Sequence, residues 1–141
     1  MKILLAVDGS PFTKKMLAYL AAHDELVSAG RHGYTALTVQ PALPPRARAA
    51  LSKEMVNEFY AEESAKVLEP VQKFLSQSGI SAECRAEVGH AGETIAKIAE
   101  DGKFDLIIMG THGHGSLGKL VMGSVSTQVL ANCSVPVMLI R

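Results

Sequence analysis

The chain has little cysteine, no excess of either charge and no long apolar run. Its two cysteines, Cys84 and Cys133, stand 49 positions apart with no CxxC pair. That spacing signals neither a disulfide framework nor a zinc knuckle. They read as small core residues in a reducing compartment. Lys and Arg number 14 against 14 for Asp and Glu. A balanced chain has no basic footprint for nucleic acid and no acidic tail. The longest apolar runs, Ile3 to Val7 and Leu106 to Met109, fall far short of the roughly 20 residues that cross a membrane. The opening Met1-Lys2-Ile3-Leu4-Leu5-Ala6-Val7-Asp8 meets an acid too early for a secretory leader, and no cleavage site follows. The expectation is therefore a cytoplasmic protein with no membrane or nucleic-acid partner.

What is present is enough for a core. With 141 residues and 48% hydrophobic composition, the chain predicts one domain over 1–141 that needs no metal or disulfide staple. Five apolar runs predict strands: Lys2 to Asp8, Tyr34 to Gln40, Ile80 to Val88, Phe104 to Gly110 and Val135 to Arg141. Three are nearly continuous, as suits strands covered on both faces. Ser81 to Val88 alternates instead, which suits an edge strand with one wet face.

Helical stripes fall between the strands. Phe12, Met16 and Leu20 share a face, with Ser10 as cap candidate and Pro11 at the first helical position. A long helix is predicted from about Ala49 to Ser78, kinked or broken at Pro70. Ile95, Ile98 and Ala99 mark a third helix, and Leu120 to Asn132 a fourth. Gln40 to Arg48, with three prolines, reads as a mobile loop. The alternation predicts an α/β fold: a parallel sheet with right-handed crossovers and helices on both faces. Ligands of such sheets sit beyond the carboxyl ends of the strands. The segments to inspect are thus Asp8-Gly9-Ser10, Val39-Gln40-Pro41 and Gly110 onward.

Gly110 to Gly123 holds five glycines in fourteen residues between a strand and a helix. Glycine there permits positive φ and close approach of backbone to a ligand. N–H groups at a helix start favour an anion. Gly113-x-Gly115-x-x-Gly118 spells the dinucleotide fingerprint. However, no acid follows Asp105 to hold a ribose, and the motif belongs after a first strand. Gly113-x-x-x-x-Gly118-Lys119 approaches a P-loop, but Leu120 stands where a hydroxyl must hold magnesium.

A third pattern fits better: Gly110-x-x-Gly113, nine residues, then Gly123-Ser124. With it, the chain resembles the ATP-binding branch of the universal stress protein family. Val7-Asp8-Gly9-Ser10, Thr38-Val39, Val88-Gly89-His90, Asp105 to Gly113 and Val135 to Ile140 extend the likeness along the chain. The resemblance implies a five-stranded sheet of order 3-2-1-4-5, adenine-nucleotide alpha-hydrolase-like and Rossmann-like. It implies ATP as ligand, with Mg2+ as a candidate companion ion. Its site would comprise Ala6, Val7, Asp8, Val39, Met109, Gly110, Thr111, His112, Gly113, Gly123, Ser124, Val125 and Ser126. Asp8 would meet the ribose or adenine end, and Ala6 and Val39 would line the adenine pocket. Gly110, Gly113, Gly123 and Ser124 would hold ribose and phosphates. It also implies a homodimer paired through Val135 to Arg141, an apolar edge strand of the kind that invites a second chain. One departure is His114, where family members often carry arginine. A histidine is shorter and only partly charged near neutral pH, so phosphate affinity is expected to be weaker or pH-dependent, with Lys119 as a compensating cation.

Enzymatic readings are thinner. His112 and His114 form H-x-H without a third ligand nearby. No G-x-S-x-G elbow occurs, and no second carboxylate is placed as a general base. The functional expectation is a nucleotide-dependent stress regulator with, at most, slow ATP hydrolysis or nucleotide transfer. A nucleotide-free dimeric interaction module is the remaining alternative.

Overall fold

A computed structural model describes residues 1–23, 25, 32–114 and 122–141. The strands are β1 (Lys2–Ala6), β2 (Gly33–Gln40), β3 (Ala82–Val88), β4 (Leu106–Gly110) and β5 (Val137–Ile140). The helices among the described residues are α1 (Pro11–Ala22), α2 (Pro45–Ala49), α3 (Lys53–Gln77), α4 (Ala91–Asp101) and α5 (Ser124–Asn132). All strands are parallel, in the order β3-β2-β1-β4-β5. The fold is the α/β class and strand order expected.

Alternation along the central strands sorts side chains into two cores. Ile3, Leu5 and Val7 of the first strand segment, with Tyr34, Ala36 and Ile108, pack against Met16, Leu17 and Leu20 of α1 and Val71 and Leu75 of α3. Leu4, Ala6, Leu37, Ile107 and Met109 face the other way, onto Ile95, Ile98 and Ala99 of α4 and Val129 of α5. Both faces of β1 and β4 are covered, which is why those strands read as unbroken apolar runs. At the edge, no residue of β3 is buried: Ala82, Cys84 and Glu87 are half-buried and the other four are exposed, so the expected alternation holds only from Ala82 to Arg85; Arg85 pairs with Glu87 at 2.9 Å.

Several boundaries differ from expectation. Pro70 neither breaks nor splits α3, which runs 25 residues through it. Its ring sits on the exposed side, while Val67, Val71 and Leu75 hold the helix to the sheet. The helix therefore carries an unfavourable residue. Pro70→Ala is expected to raise unfolding free energy by about 1–3 kcal/mol, measured by urea unfolding; a loss of stability would contradict this account. Gln40 to Arg48 is not a featureless loop: it holds α2, and the Leu43 N–H donates to the Tyr60 hydroxyl of α3 at 2.8 Å. Finally, Met122 and Gly123 are not helical, and α5 starts at Ser124. The expected Leu120 and Val121 start lies outside the described residues.

Two hydrogen-bonded joints keep β5 in place. Ile107 N–H donates to the Pro136 carbonyl at 2.9 Å, so pairing begins before the strand proper. The Glu100 carboxylate accepts from the Ser134 N–H at 2.6 Å and from its hydroxyl at 2.8 Å. These bonds hold the Glu100 carboxyl below its ordinary pKa. Burial pushes the Cys84 and Cys133 thiols up. Neither is therefore a thiolate nucleophile at neutral pH.

Candidate functional site

The turn from β1 to α1 is built around Asp8. The Asp8 N–H donates to the Thr13 hydroxyl at 3.0 Å, and that hydroxyl donates back to Asp8 Oδ1 at 2.9 Å. Oδ1 also accepts the Ser10 N–H at 2.9 Å. Gly9 makes the turn possible with φ of 76°, a conformation costly for residues with a Cβ. The carboxylate thus organises the loop through one oxygen. Its other oxygen, Oδ2, lies 2.6 Å from where a Cβ on Gly113 would stand.

The end of β4 meets this turn. Gly110, Gly113 and Gly123 do not adopt positive φ; they serve close approach, which corrects half of the sequence argument. A Cβ on Gly110 would come within 2.6 Å of the Phe12 Cβ, so this glycine lets α1 pack on β4. A Cβ on Gly123 would meet the Thr111 carbonyl at 3.2 Å and His112 Cα at 3.3 Å. The Gly123 N–H donates to that same carbonyl at 2.7 Å. A bulky residue at 123 would therefore press on the loop's own backbone as well as on the space in front of it.

Ser126 is 2% exposed, and its hydroxyl donates to the carbonyls of Gly110 and Thr111, both at 3.1 Å. It pins the first turn of α5 to the end of β4; its donor is spent inward. Helix geometry leaves the N–H groups of Ser124, Val125 and Ser126 without an intrahelical acceptor, and all three residues line the same cleft.

That cleft has a volume of about 430 Å³ and lies beyond the carboxyl ends of β1, β2 and β4. One wall is apolar, with Ala6, Leu37, Val39, Ile95 and Met109; the other carries Gly113, Gly123 and Ser124 to Ser126. Of the site residues expected from sequence, all line it except Thr111. Thr111 is 7% exposed, and its hydroxyl lies 2.9 Å from His112 Nδ1. Thr13, Thr38, Ala91 and Ile95 also line the cleft and were missed. The small Ala91 after Gly89-His90 was the available signal for α4, since a helix start beside a ligand has room only for a short side chain.

His112 packs its ring 5.0 Å from that of Phe12. His114 reaches across the cleft, its Nε2 2.8 Å from the Asp8 carbonyl oxygen. Gly115, Gly118 and Lys119, which carry the dinucleotide and P-loop look-alikes, lie outside the described residues. Among the described residues no group of three His, Cys, Asp or Glu is placed to hold a metal ion. Nor is any helix among them long and apolar enough to cross a membrane.

An open parallel sheet, helices on both faces and a cleft at the switch in strand order define a doubly wound α/β domain. The profile described as the Universal stress protein family matches residues 1–141, and the chain belongs to that family. It is 34% identical over 140 residues to universal stress protein Slr1230 of Synechocystis sp., covering 99% of this chain but 42% of that protein. The chain thus spans under half the length of that relative. A universal stress protein of Thermus aquaticus is 33% identical over 144 residues, covering 99% of this chain and 97% of its own length.

Among solved structures, MJ0577, named elsewhere as a universal stress protein of Methanocaldococcus jannaschii, superposes with a TM-score of 0.83 at 29% identity, covering 99% of this chain and 94% of that one. Three more distant structures share the fold. One is a universal stress protein in complex with cAMP (TM-score 0.71, 18% identity, 100% and 97% covered). One is an AMP-bound family protein of Arabidopsis thaliana (0.69, 17%, 99% and 90%). The third is a universal stress protein of Archaeoglobus fulgidus in complex with dAMP (0.66, 21%, 100% and 98%).

Proposed function

We propose that this chain is an adenine-nucleotide-binding regulator of the stress response, with ATP as its ligand. The observation that carries the reading is the two-sided cleft. Its apolar wall suits a flat base, and its opposite wall presents a glycine backbone and the open first turn of α5 to phosphates. The volume falls within the range of small-molecule sites, roughly 300–1,000 Å³. Relatives of the same fold solved with AMP, cAMP and dAMP support the adenine class.

Asp8 is the one carboxylate lining the cleft among the described residues, and its Oδ1 is engaged in the turn. Among the described residues no pair of carboxylates lines the cleft for general acid and base work, which favours binding and signalling over fast turnover. A protein cage for Mg2+ would need more oxygen ligands than the cleft shows, so the ion would come with the phosphates. We further propose that residues 1–141 form one domain and that it works in the cytoplasm. Purification without added nucleotide, denaturation and mass spectrometry of the released small molecules test the ligand class. An adenine nucleotide is expected; a different tightly held molecule would overturn the reading.

We further propose a symmetric homodimer through β5. Val137, Met138 and Leu139 are half-buried on a strand that, among the described residues, ends the sheet, and such an edge pairs readily with another. Light scattering at micromolar concentration is expected to give twice the 15.0 kDa chain mass; the mass of one chain would remove the dimer.

A further inference from the structure

We propose that His114 makes the cleft discriminate phosphorylated nucleotides from nucleosides in a proton-dependent way, gaining a proton as phosphate binds. The inference rests on the nucleotide reading above. Its own basis is the contact that His114 makes across the cleft. Nε2 lies 2.8 Å from the Asp8 carbonyl oxygen. A carbonyl only accepts, so Nε2 carries the hydrogen and the neutral ring has its lone pair on Nδ1. Nδ1 is therefore the atom that gains the second proton.

The two forms of the ring differ sharply toward an anion. With Nδ1 unprotonated, that edge offers a lone pair, which repels a phosphate oxygen. With Nδ1 protonated, it offers a donor and a positive charge, and hydrogen bonds between charged groups are the stronger kind. The Nε2–H bond to Asp8 is kept in both forms, so the ring stays anchored beside the glycine wall while its charge changes.

Among the described residues the surrounding charged groups are few, and Lys119 of the same loop lies outside them. From the β1–α1 turn the Asp8 carboxylate faces the same space, with Oδ2 directed at Gly113. From α1, Lys15 lies over the Phe12 ring, 4.9 Å from its centroid, and is engaged there. From the β4 side His112 packs on Phe12 and bonds Thr111. The start of α5, Ser124 to Ser126, brings hydroxyls and amides but no ionisable group. Among the described residues that line the cleft, the two histidines are the side chains able to become cationic, and His114 is the one that spans both loops.

The test is isothermal titration of the stripped full chain with ATP and with adenosine between pH 6 and pH 8. ATP is expected to bind about fivefold more tightly at the lower pH, the order of one charge-assisted hydrogen bond at a partly exposed site, whereas adenosine affinity stays flat. The phosphate itself titrates in this range, so each affinity is compared with that of H114Q at the same pH. Gln keeps a donor for the Asp8 carbonyl but carries no charge, and the wild-type advantage should vanish by pH 8. H114R, charged throughout, should bind ATP with no extra tightening at low pH. A wild-type to H114Q ratio that does not change with pH overturns the inference while leaving nucleotide binding intact. Failure of ATP and adenosine alike to bind overturns the nucleotide reading and this inference with it.

Discussion

Ile108→Ala is expected to lower the unfolding free energy by about 2–5 kcal/mol. Ile108 sits on β4 beside Leu5 of β1, is 0% exposed and packs in the core under α1 and α3. Two strands and two helices surround the site, so neighbours are poorly able to collapse into the space left by the missing carbons. The loss then combines transfer free energy with a cavity. Against a total stability of about 5–15 kcal/mol for a domain, this is a large fraction. Leu130→Ala, at a site 46% exposed, serves as control and is expected to stay within about 0.5 kcal/mol of wild type. Urea unfolding at one protein concentration compares the two. Equal effects would mean that the two-core arrangement is wrong.

Asp8→Ala is expected to act on both stability and binding. Removing the carboxylate strands the Ser10 N–H and takes away the acceptor of the Thr13 hydroxyl proton, on residues 0% and 5% exposed. Buried groups left unpaired cost about 1–3 kcal/mol each. The turn would also lose the geometry that brings it to Gly113, so ATP affinity should fall at least about tenfold, equivalent to about 1.4 kcal/mol. Asp8→Asn retains an oxygen in place of Oδ1 and should recover most of the stability. Any affinity deficit left in the Asp8→Asn protein then reports on the charge and Oδ2 alone. Thermal unfolding and ATP titration of both variants separate the roles. An Asp8→Ala protein as stable and as tight as wild type would remove Asp8 from the site.

The sheet was legible because strands buried on both faces must be apolar at every position, and Ile3 to Val7 and Leu106 to Met109 satisfy that requirement. The edge position of β3 was legible for the converse reason: Glu83 and Arg85 mark a wet face, although Ala86 and Val88 at the far end of the strand are exposed as well. Pro70 misled because local propensity argues for a break, whereas Val67, Val71 and Leu75 supply enough tertiary packing to carry the helix through. The cleft glycines were found by spacing, but their purpose was half misread. Whether a glycine serves a positive φ or a close contact depends on what stands opposite, and Phe12 opposite Gly110 is a fact of the fold. Ser126 shows the same limit. The resemblance put Ser126 in the ligand site, yet its hydroxyl donates to the carbonyls of Gly110 and Thr111. Thr13 was missed because its role depends on a return bond to Asp8 five residues earlier, a pattern that matches no motif.

The most direct test of the central claim is ATP titration of nucleotide-stripped protein, followed by melting temperature. Binding confined to the folded state predicts stabilisation of about 2.7 kcal/mol at one hundred times the dissociation constant, a rise of several degrees for a domain of this size. A saturable rise that Asp8→Ala moves to at least about tenfold higher ATP concentration is the predicted result. A melting temperature indifferent to ATP at millimolar concentration would contradict the account.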